Sequence, residues 1–184
     1  MALTATIFKA ELQIANMDRG YYADHALTLA RHPSETDERM MVRLLAFALH
    51  ASETLAFTKG LCADDEPDLW EKSLTGEIER WIDVGLPDER RMRRACGRAG
   101  RVYVYAYGGN QARLWWERTA RDVARLDNLQ VLNLPVGATG ALPTLVDRTM
   151  RLQCTVQEEQ IWFGNGEATV LVEPEPLFTG EKMA

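Results

Sequence analysis

The sequence predicts an α/β core with additional β-structure at both ends. Three observations carry this. Several segments alternate apolar and polar residues with period two, and others carry apolar stripes at helical spacing. From Ser34 to Leu134 these segments run helix, three strands, helix, strand, helix, strand. The 184 residues, 46% hydrophobic and 26% charged, suffice for one core without disulfide staples.

Each element has a local reason. Phe8, Ala10, Leu12 and Ile14 alternate with Ile7, Lys9, Glu11 and Gln13 in a first strand. Asp18-Arg19-Gly20 supplies a turn, and Tyr21 to Ala30 returns as its partner. Ser34 is the expected N-cap of a helix, with Asp37 three residues on and the stripe Met41, Leu44, Leu45, Ala48 and Leu49 ending near His50. Leu55 to Leu61 reads as a short strand and 62–67 as an acidic loop. Two strands then pair around Thr75-Gly76, in a register that sets Trp70 against Trp81, Glu71 against Arg80, Lys72 against Glu79 and Asp68 against Asp83. Pro87 opens a helix with Asp88 and Glu89 in its first turn and arginines toward its end, the order its dipole favours. Val102 to Tyr107 is a strand, and Asn110 caps a helix striped with Ala112, Trp115, Trp116, Thr119 and Val123. Leu129 to Leu134 is a buried strand. A last hairpin follows, with Met150, Leu152, Cys154 and Val156 alternating, Gly164-Asn165-Gly166 as its turn, and a final strand over Glu167 to Val172. The expected organisation is one domain over 1–173 and a flexible tail over 174–184.

Composition excludes several function classes. No apolar run reaches ~18 residues, so no membrane-spanning helix is expected. The first residues lack a basic stretch followed by an apolar one, so no secretory signal is expected. Cys62, Cys96 and Cys154 are odd in number and form no CxxC pair, which points to the cytoplasm and away from a zinc knuckle or disulfide framework. A formal net charge of −6 argues against coating nucleic acid through bulk positive charge, though not against a local basic patch. There is no Walker loop, no dinucleotide fingerprint and no histidine spacing of ligands, so no small-molecule cofactor is expected.

Chemistry concentrates on carboxylates. Asp68 and Asp83, set opposite one another on one sheet face, repel unless a cation neutralises them, and one or two such carboxylates are what Mg²⁺ or Mn²⁺ takes from a protein. Glu38 tends toward the buried face of the first helix, where it needs a cation or metal as partner. Arg91, Arg94 and Arg98 share one row of their helix, and guanidinium suits phosphate. The alternative for that row is a solvated face paired with the acidic loop.

Pro67-Asp68, a short hairpin and Ile82-Asp83-Val84-Gly85 together resemble the PD-(D/E)XK nuclease motif. More specific segments are the opening M-A-L-T-A-T-I-F-K-A, the stretch A-D-H-A-L-T-L-A-R-H-P-S-E-T-D-E-R-M from Ala23, L-T-G-E-I-E-R-W-I-D-V-G from Leu74, and G-R-A-G-R-V-Y-V-Y from Gly97. Together they resemble the bacterial YaeQ family over nearly the full length. The resemblance implies a restriction-endonuclease-like mixed sheet flanked by helices, a variant PD-(D/E)XK site, and metal-dependent hydrolysis of DNA or RNA. It matches Asp68 and Asp83 to the two motif acids and metal ligands, and Glu38 to a helix acid of the superfamily. Gly85 stands where the motif wants lysine, so a replacement cation is expected at Lys59, Lys72, Arg91 or Arg94. The other expectation is a catalytically inactive nuclease fold used for binding or regulation; the family has been linked to transcription elongation.

Overall fold

The computed structural model describes residues 4–59, 61 and 64–184; Cys62, with the first three residues, Gly60 and Ala63, lies outside them. Along the chain run β1 (Thr6–Asn16), β2 (Tyr21–Arg31), α1 (Asp37–His50), β3 (Ala56–Phe57), β4 (Leu69–Lys72), β5 (Ile78–Val84), α2 (Glu89–Arg98) and β6 (Ala99–Ala106). Then follow α3 (Asn110–Val123), β7 (Leu129–Asn133), α4 (Val136–Ala141), β8 (Thr149–Gln157), β9 (Gln160–Gly164), β10 (Thr169–Val172) and β11 (Glu175–Thr179). The fold is mixed α/β of the α+β type. It divides into two compact units, one of residues 1–51 and 137–173, the other of 52–136 and 174–184.

The first unit is built on a five-stranded sheet, β10-β9-β8-β1-β2. β1 pairs antiparallel with β2 and parallel with β8, so the two terminal regions of sequence share one sheet. Its alternation is as expected: Phe8, Ala10, Leu12 and Ile14 join Met150, Leu152, Cys154 and Val156 in the core, while the intervening residues face solvent. α1 buries Met40 to Ala48 and packs against β1. Its N-cap is Thr36, whose hydroxyl accepts from Arg39 N at 3.1 Å, and not Ser34, whose hydroxyl bonds His32 Nδ1 at 2.6 Å. The single C-terminal hairpin becomes three strands. A turn at Glu158 and Glu159, both at positive φ (51° and 63°), separates β8 from β9. Asp18 holds that turn by accepting from both backbone N–H groups, at 2.8 and 2.9 Å.

The second unit has the sheet order β11-β7-β6-β5-β4-β3, with β5, β6 and β7 parallel and the outer pairings antiparallel. Trp81, Met92, Ala95, Val102, Val104, Val123, Leu129 and Val131 form its core between that sheet and the two helices that connect its parallel strands. The pairings Trp70 with Trp81 and Glu71 with Arg80 are as expected. Lys72 instead faces Ile78, because a bulge follows Glu71 and the turn spans Ser73 to Gly76, with Ser73 Oγ accepting from Glu77 N. Asp88 is the N-cap of α2, accepting from Arg91 N at 2.7 Å, and Gly109 precedes α3 without a side-chain cap. The strand expected over Leu55 to Leu61 shortens to Ala56–Phe57. Residues 174–184, a flexible tail on the sequence reading, instead carry β11, which pairs with β7 and seats Phe178 beside Trp116 at a ring distance of 6.3 Å.

Candidate functional site: a carboxylate pair at the end of a sheet

Asp68 closes the acidic loop, one residue before β4, and Asp83 is the penultimate residue of β5. The β4–β5 pairing begins at Leu69–Ile82, and Asp68 and Asp83 are the next residues outward along the two chain segments; the expected Asp68–Asp83 pair is not among its paired positions. Both carboxylates are buried, Asp68 at 3% and Asp83 at 2% exposure. Burying an ionised carboxyl costs several kcal/mol unless hydrogen bonds or a cation compensate it.

The compensation differs for the two. Asp68 Oδ2 accepts the backbone N–H of Val84 at 2.8 Å, and its own backbone N–H bonds Ile82 O at 3.0 Å. Asp68 therefore extends the β4–β5 ladder with its side chain. Asp83 shares a face with Trp81, toward α2. Met92 and Ala95 are fully buried in the core below, which fixes α2 so that Arg91 lies over Asp83. Arg91 Nε reaches Asp83 Oδ2 at 2.8 Å and Nη2 reaches Oδ1 at 2.8 Å, the two-pronged geometry in which guanidinium and carboxylate interact most strongly. The same guanidinium donates to the backbone oxygens of Asp64 at 2.9 Å and Glu66 at 2.7 Å. One side chain thus neutralises a buried acid and pins the acidic loop.

The rest of the arginine row turns onto that loop. Arg94 pairs with Asp65 at 3.2 Å, and Arg98 donates to Asp65 O at 3.0 Å. Of the replacement cations, Lys59 is exposed, and exposed Lys72 holds its ammonium 3.6 Å from the centre of the Trp70 ring. Gly85 adopts φ +105°, a conformation that disfavours lysine or any other L side chain, and bonds Tyr105 O at 2.9 Å.

Glu38 sits half-buried in the first turn of α1, in the other unit. The buried acid there is Glu35, which sequence reasoning missed. It receives Arg43 Nε at 2.7 Å, Arg43 Nη2 at 2.8 Å and Arg39 Nη1 at 3.0 Å. The four-residue spacing of Glu35, Arg39 and Arg43 was the available signal. Glu71 was also undervalued: it is buried and accepts from Ser52 Oγ at 2.6 Å and Thr54 Oγ1 at 2.9 Å, with Arg80 Nε at 3.2 Å.

As arranged, these residues do not fit a divalent cation. Both Asp83 oxygens face a guanidinium, and Asp68 Oδ2 faces an N–H. Among the described residues no three His, Cys, Asp or Glu side chains are grouped to hold a metal ion.

Comparison with known proteins places the chain. The family model described as YaeQ protein matches residues 1–174. The YaeQ protein of Salmonella typhi is 46% identical over 173 residues, covering 94% of this chain and 96% of its own. That of Escherichia coli K12 is 46% identical over 165 residues, covering 90% and 91%. The crystal structure of YaeQ from Xanthomonas axonopodis pv. citri superposes with a TM-score of 0.93 at 49% identity, covering 96% of this chain and 99% of that one. YaeQ from Pseudomonas syringae gives 0.91 at 36% identity, covering 97% and 98%. With sequence matches along nearly the whole chain and two superposable structures, this protein belongs to the YaeQ family.

Proposed function

We propose that this protein is a binding or regulatory module on a nuclease-like scaffold, and that Asp68 and Asp83 maintain its structure without hydrolysing phosphodiesters. The observation that carries this reading is the Arg91–Asp83 pair. In a metal-dependent nuclease the second acid holds the cation that polarises phosphate and acidifies water, and a nearby lysine stabilises developing charge. Here a guanidinium takes both oxygens of that acid, and its fixed positive charge opposes a second cation at the same carboxylate. Glycine with positive φ stands at the lysine position. Arg91, Arg94 and Arg98 are engaged with the acidic loop, so phosphate would have to displace internal partners to reach them.

The competing reading is a Mg²⁺- or Mn²⁺-dependent nuclease acting on DNA or RNA through Asp68, Asp83 and Glu38. It draws support from two buried carboxylates, one just before β4 and one on the neighbouring β5. The two readings separate in one experiment. Full-length protein is incubated with labelled single- and double-stranded DNA and RNA with either metal, beside Asp68→Asn and Asp83→Asn variants, and metal binding is titrated by calorimetry. The proposal expects no saturable metal heat and no cleavage above the variants' background. Metal-dependent cleavage abolished by either substitution overturns it.

A further inference from the structure

Each sheet ends in two edge strands, and one of these edges is unlike the others. The six-stranded sheet ends in β3, which is two residues long, and in β11, which carries Pro176 and a break in register between Pro176 and Phe178. The five-stranded sheet ends on one side in β10, four residues long. Shortness, proline and bulges are devices that keep a sheet edge from pairing with another chain. The remaining edge, β2, has none of them. It runs eleven residues, Tyr21–Arg31, in unbroken register with β1, without lysine or proline and with Asp24 as its one acid.

The backbone bonds of β1 show which groups of β2 are open. Arg148 Nη1 donates to Ile7 O at 2.9 Å, while Lys9 N and Met17 N donate to Arg148 O and Val156 O at 2.9 and 2.8 Å. The odd-numbered residues of β1 therefore spend their backbone groups on the β8 side. Its even-numbered residues serve β2, through Tyr21, Ala23, His25, Leu27 and Leu29. The intervening residues of an antiparallel pair turn their backbone groups away from it. The N–H and C=O of Tyr22, Asp24, Ala26 and Thr28 thus face the open edge, and among the described residues they have no partner. The next outward carbonyl, Ala30 O, accepts from Arg43 Nη2 at 3.1 Å.

We infer that β2 is the interface of a homodimer, in which two copies of this chain pair antiparallel along this edge and join their five-stranded sheets into one. A two-fold axis through Ala26, the middle residue of β2, pairs all eleven positions of the strand. Ala26 then faces Ala26, and two methyl groups meet at the axis. Asp24 faces Thr28 of the second copy, whose hydroxyl donates to the carboxylate. On the other face of the strand, His25 meets Leu27 and Ala23 meets Leu29 of the second copy. Ala23, His25 and Leu27 are half-buried in one copy, with the Phe47 ring of α1 edge-on to His25 at 5.2 Å, and the second strand covers their open flank. Other axes fit less well. One through Asp24 sets two carboxylates face to face, and one through Thr28 leaves Tyr21 to Asp24 unpaired. The same backbone groups suit an extended segment of another protein; the strand's fit to itself in length, charge and apolar row favours the second copy. The inference is independent of the Asp68–Asp83 centre and stands whether or not that centre is catalytic.

The test uses the full chain. Sedimentation from about 1 to about 500 µM is expected to show a monomer–dimer equilibrium. Hydrogen exchange followed by NMR is expected to find the amides of Asp24, Ala26 and Thr28 protected at high concentration and open on dilution, while those of Ala23, His25 and Leu27 stay protected throughout. Ala26→Lys sets like charges at the axis, and Ala26→Pro deletes an N–H that β1 does not use. Each raises the dissociation constant about tenfold or more, with circular dichroism unchanged. In a Cys62→Ser/Cys96→Ser/Cys154→Ser background, Ala26→Cys oxidises to a linked dimer, since directly bonded positions place their Cα atoms about 5.5 Å apart, whereas Thr28→Cys, which faces Asp24, does not. The inference is overturned by a dimer that survives both Ala26→Lys and Ala26→Pro, by a dimer whose Asp24, Ala26 and Thr28 amides exchange freely, or by linkage of Thr28→Cys without Ala26→Cys. A monomer across the whole range equally overturns it, whether the edge stays open or is covered only when an extended peptide is added.

Discussion

Replacing Arg91 by alanine tests the central contact directly. The substitution removes two charge-assisted hydrogen bonds to Asp83 and two bonds to the acidic loop. Asp83, only 2% exposed, is left as an uncompensated buried charge. Breaking a buried pair from one side costs about 3–5 kcal/mol. The Arg91 side chain is itself 24% exposed, so water screens part of the interaction and the cost belongs at the lower end, about 3 kcal/mol. For a chain of this size that lowers the melting temperature by about 6–12 °C. The assay is urea denaturation followed by circular dichroism for wild type, Arg91→Ala, Asp83→Asn and the double variant. Because Asp83→Asn removes the stranded charge, the double variant is more stable than Arg91→Ala alone. A loss below about 0.5 kcal/mol for Arg91→Ala, the range of ordinary surface changes, refutes the reasoning. So does strict additivity of the two substitutions.

Other outcomes follow from the same geometry. Glu35→Ala strands the buried Arg43 guanidinium and costs about 3–5 kcal/mol, whereas Glu38→Ala stays within about 0.5 kcal/mol; equal effects in urea titrations would contradict the placement of these two acids. Gly85→Ala and Gly85→Lys each cost about 1–2 kcal/mol through positive φ alone, since no atom lies within 4 Å of an added Cβ; neutral denaturation midpoints would count against this. Burial, aided by Asp127, pushes the Cys96 thiol from 9.0 up to about 12, and burial alone does the same for Cys154. The unfolded chain therefore ionises these thiols first, and their contribution to stability, whole below pH 9, is lost as pH rises toward 12. Cys96→Ser/Cys154→Ser removes that part of the alkaline decline, and an identical pH–stability profile in the variant would argue against it. In a Cys62→Ser background, half-buried Cys96 and buried Cys154 both react slowly with Ellman's reagent at neutral pH because their raised pKa leaves little thiolate, and rapid labelling of either would count against that rise.

Much of the fold is legible from local signals. β1 and β8 follow from alternation that survives in the burial pattern, because a one-residue slip would turn every apolar side chain outward, and β2 follows as the return from the Asp18-Arg19-Gly20 turn. The Trp70–Trp81 and Glu71–Arg80 pairs follow from cross-strand chemistry. Where the reading fails, a distant partner decides. The Glu158–Glu159 turn uses residues that rarely adopt positive φ, and it is held by Asp18, some 140 positions earlier. β11 reads as a tail of alternating Glu and Pro, yet β7 offers it an edge.

The site divides in the same way. Cross-strand pair chemistry around Thr75-Gly76 brings Asp68 and Asp83 to the same end of a hairpin, and the arginine-rich stripe of α2 alone marks a basic row near an acidic loop. Which charge meets which carboxylate is a matter of a few ångströms. α2 settles onto the sheet by burying Met92 and Ala95, and only that packing carries Arg91 to Asp83. Periodicity reports which face of an element is buried; the pairing of buried charges depends on how the elements dock, and that is decided in three dimensions.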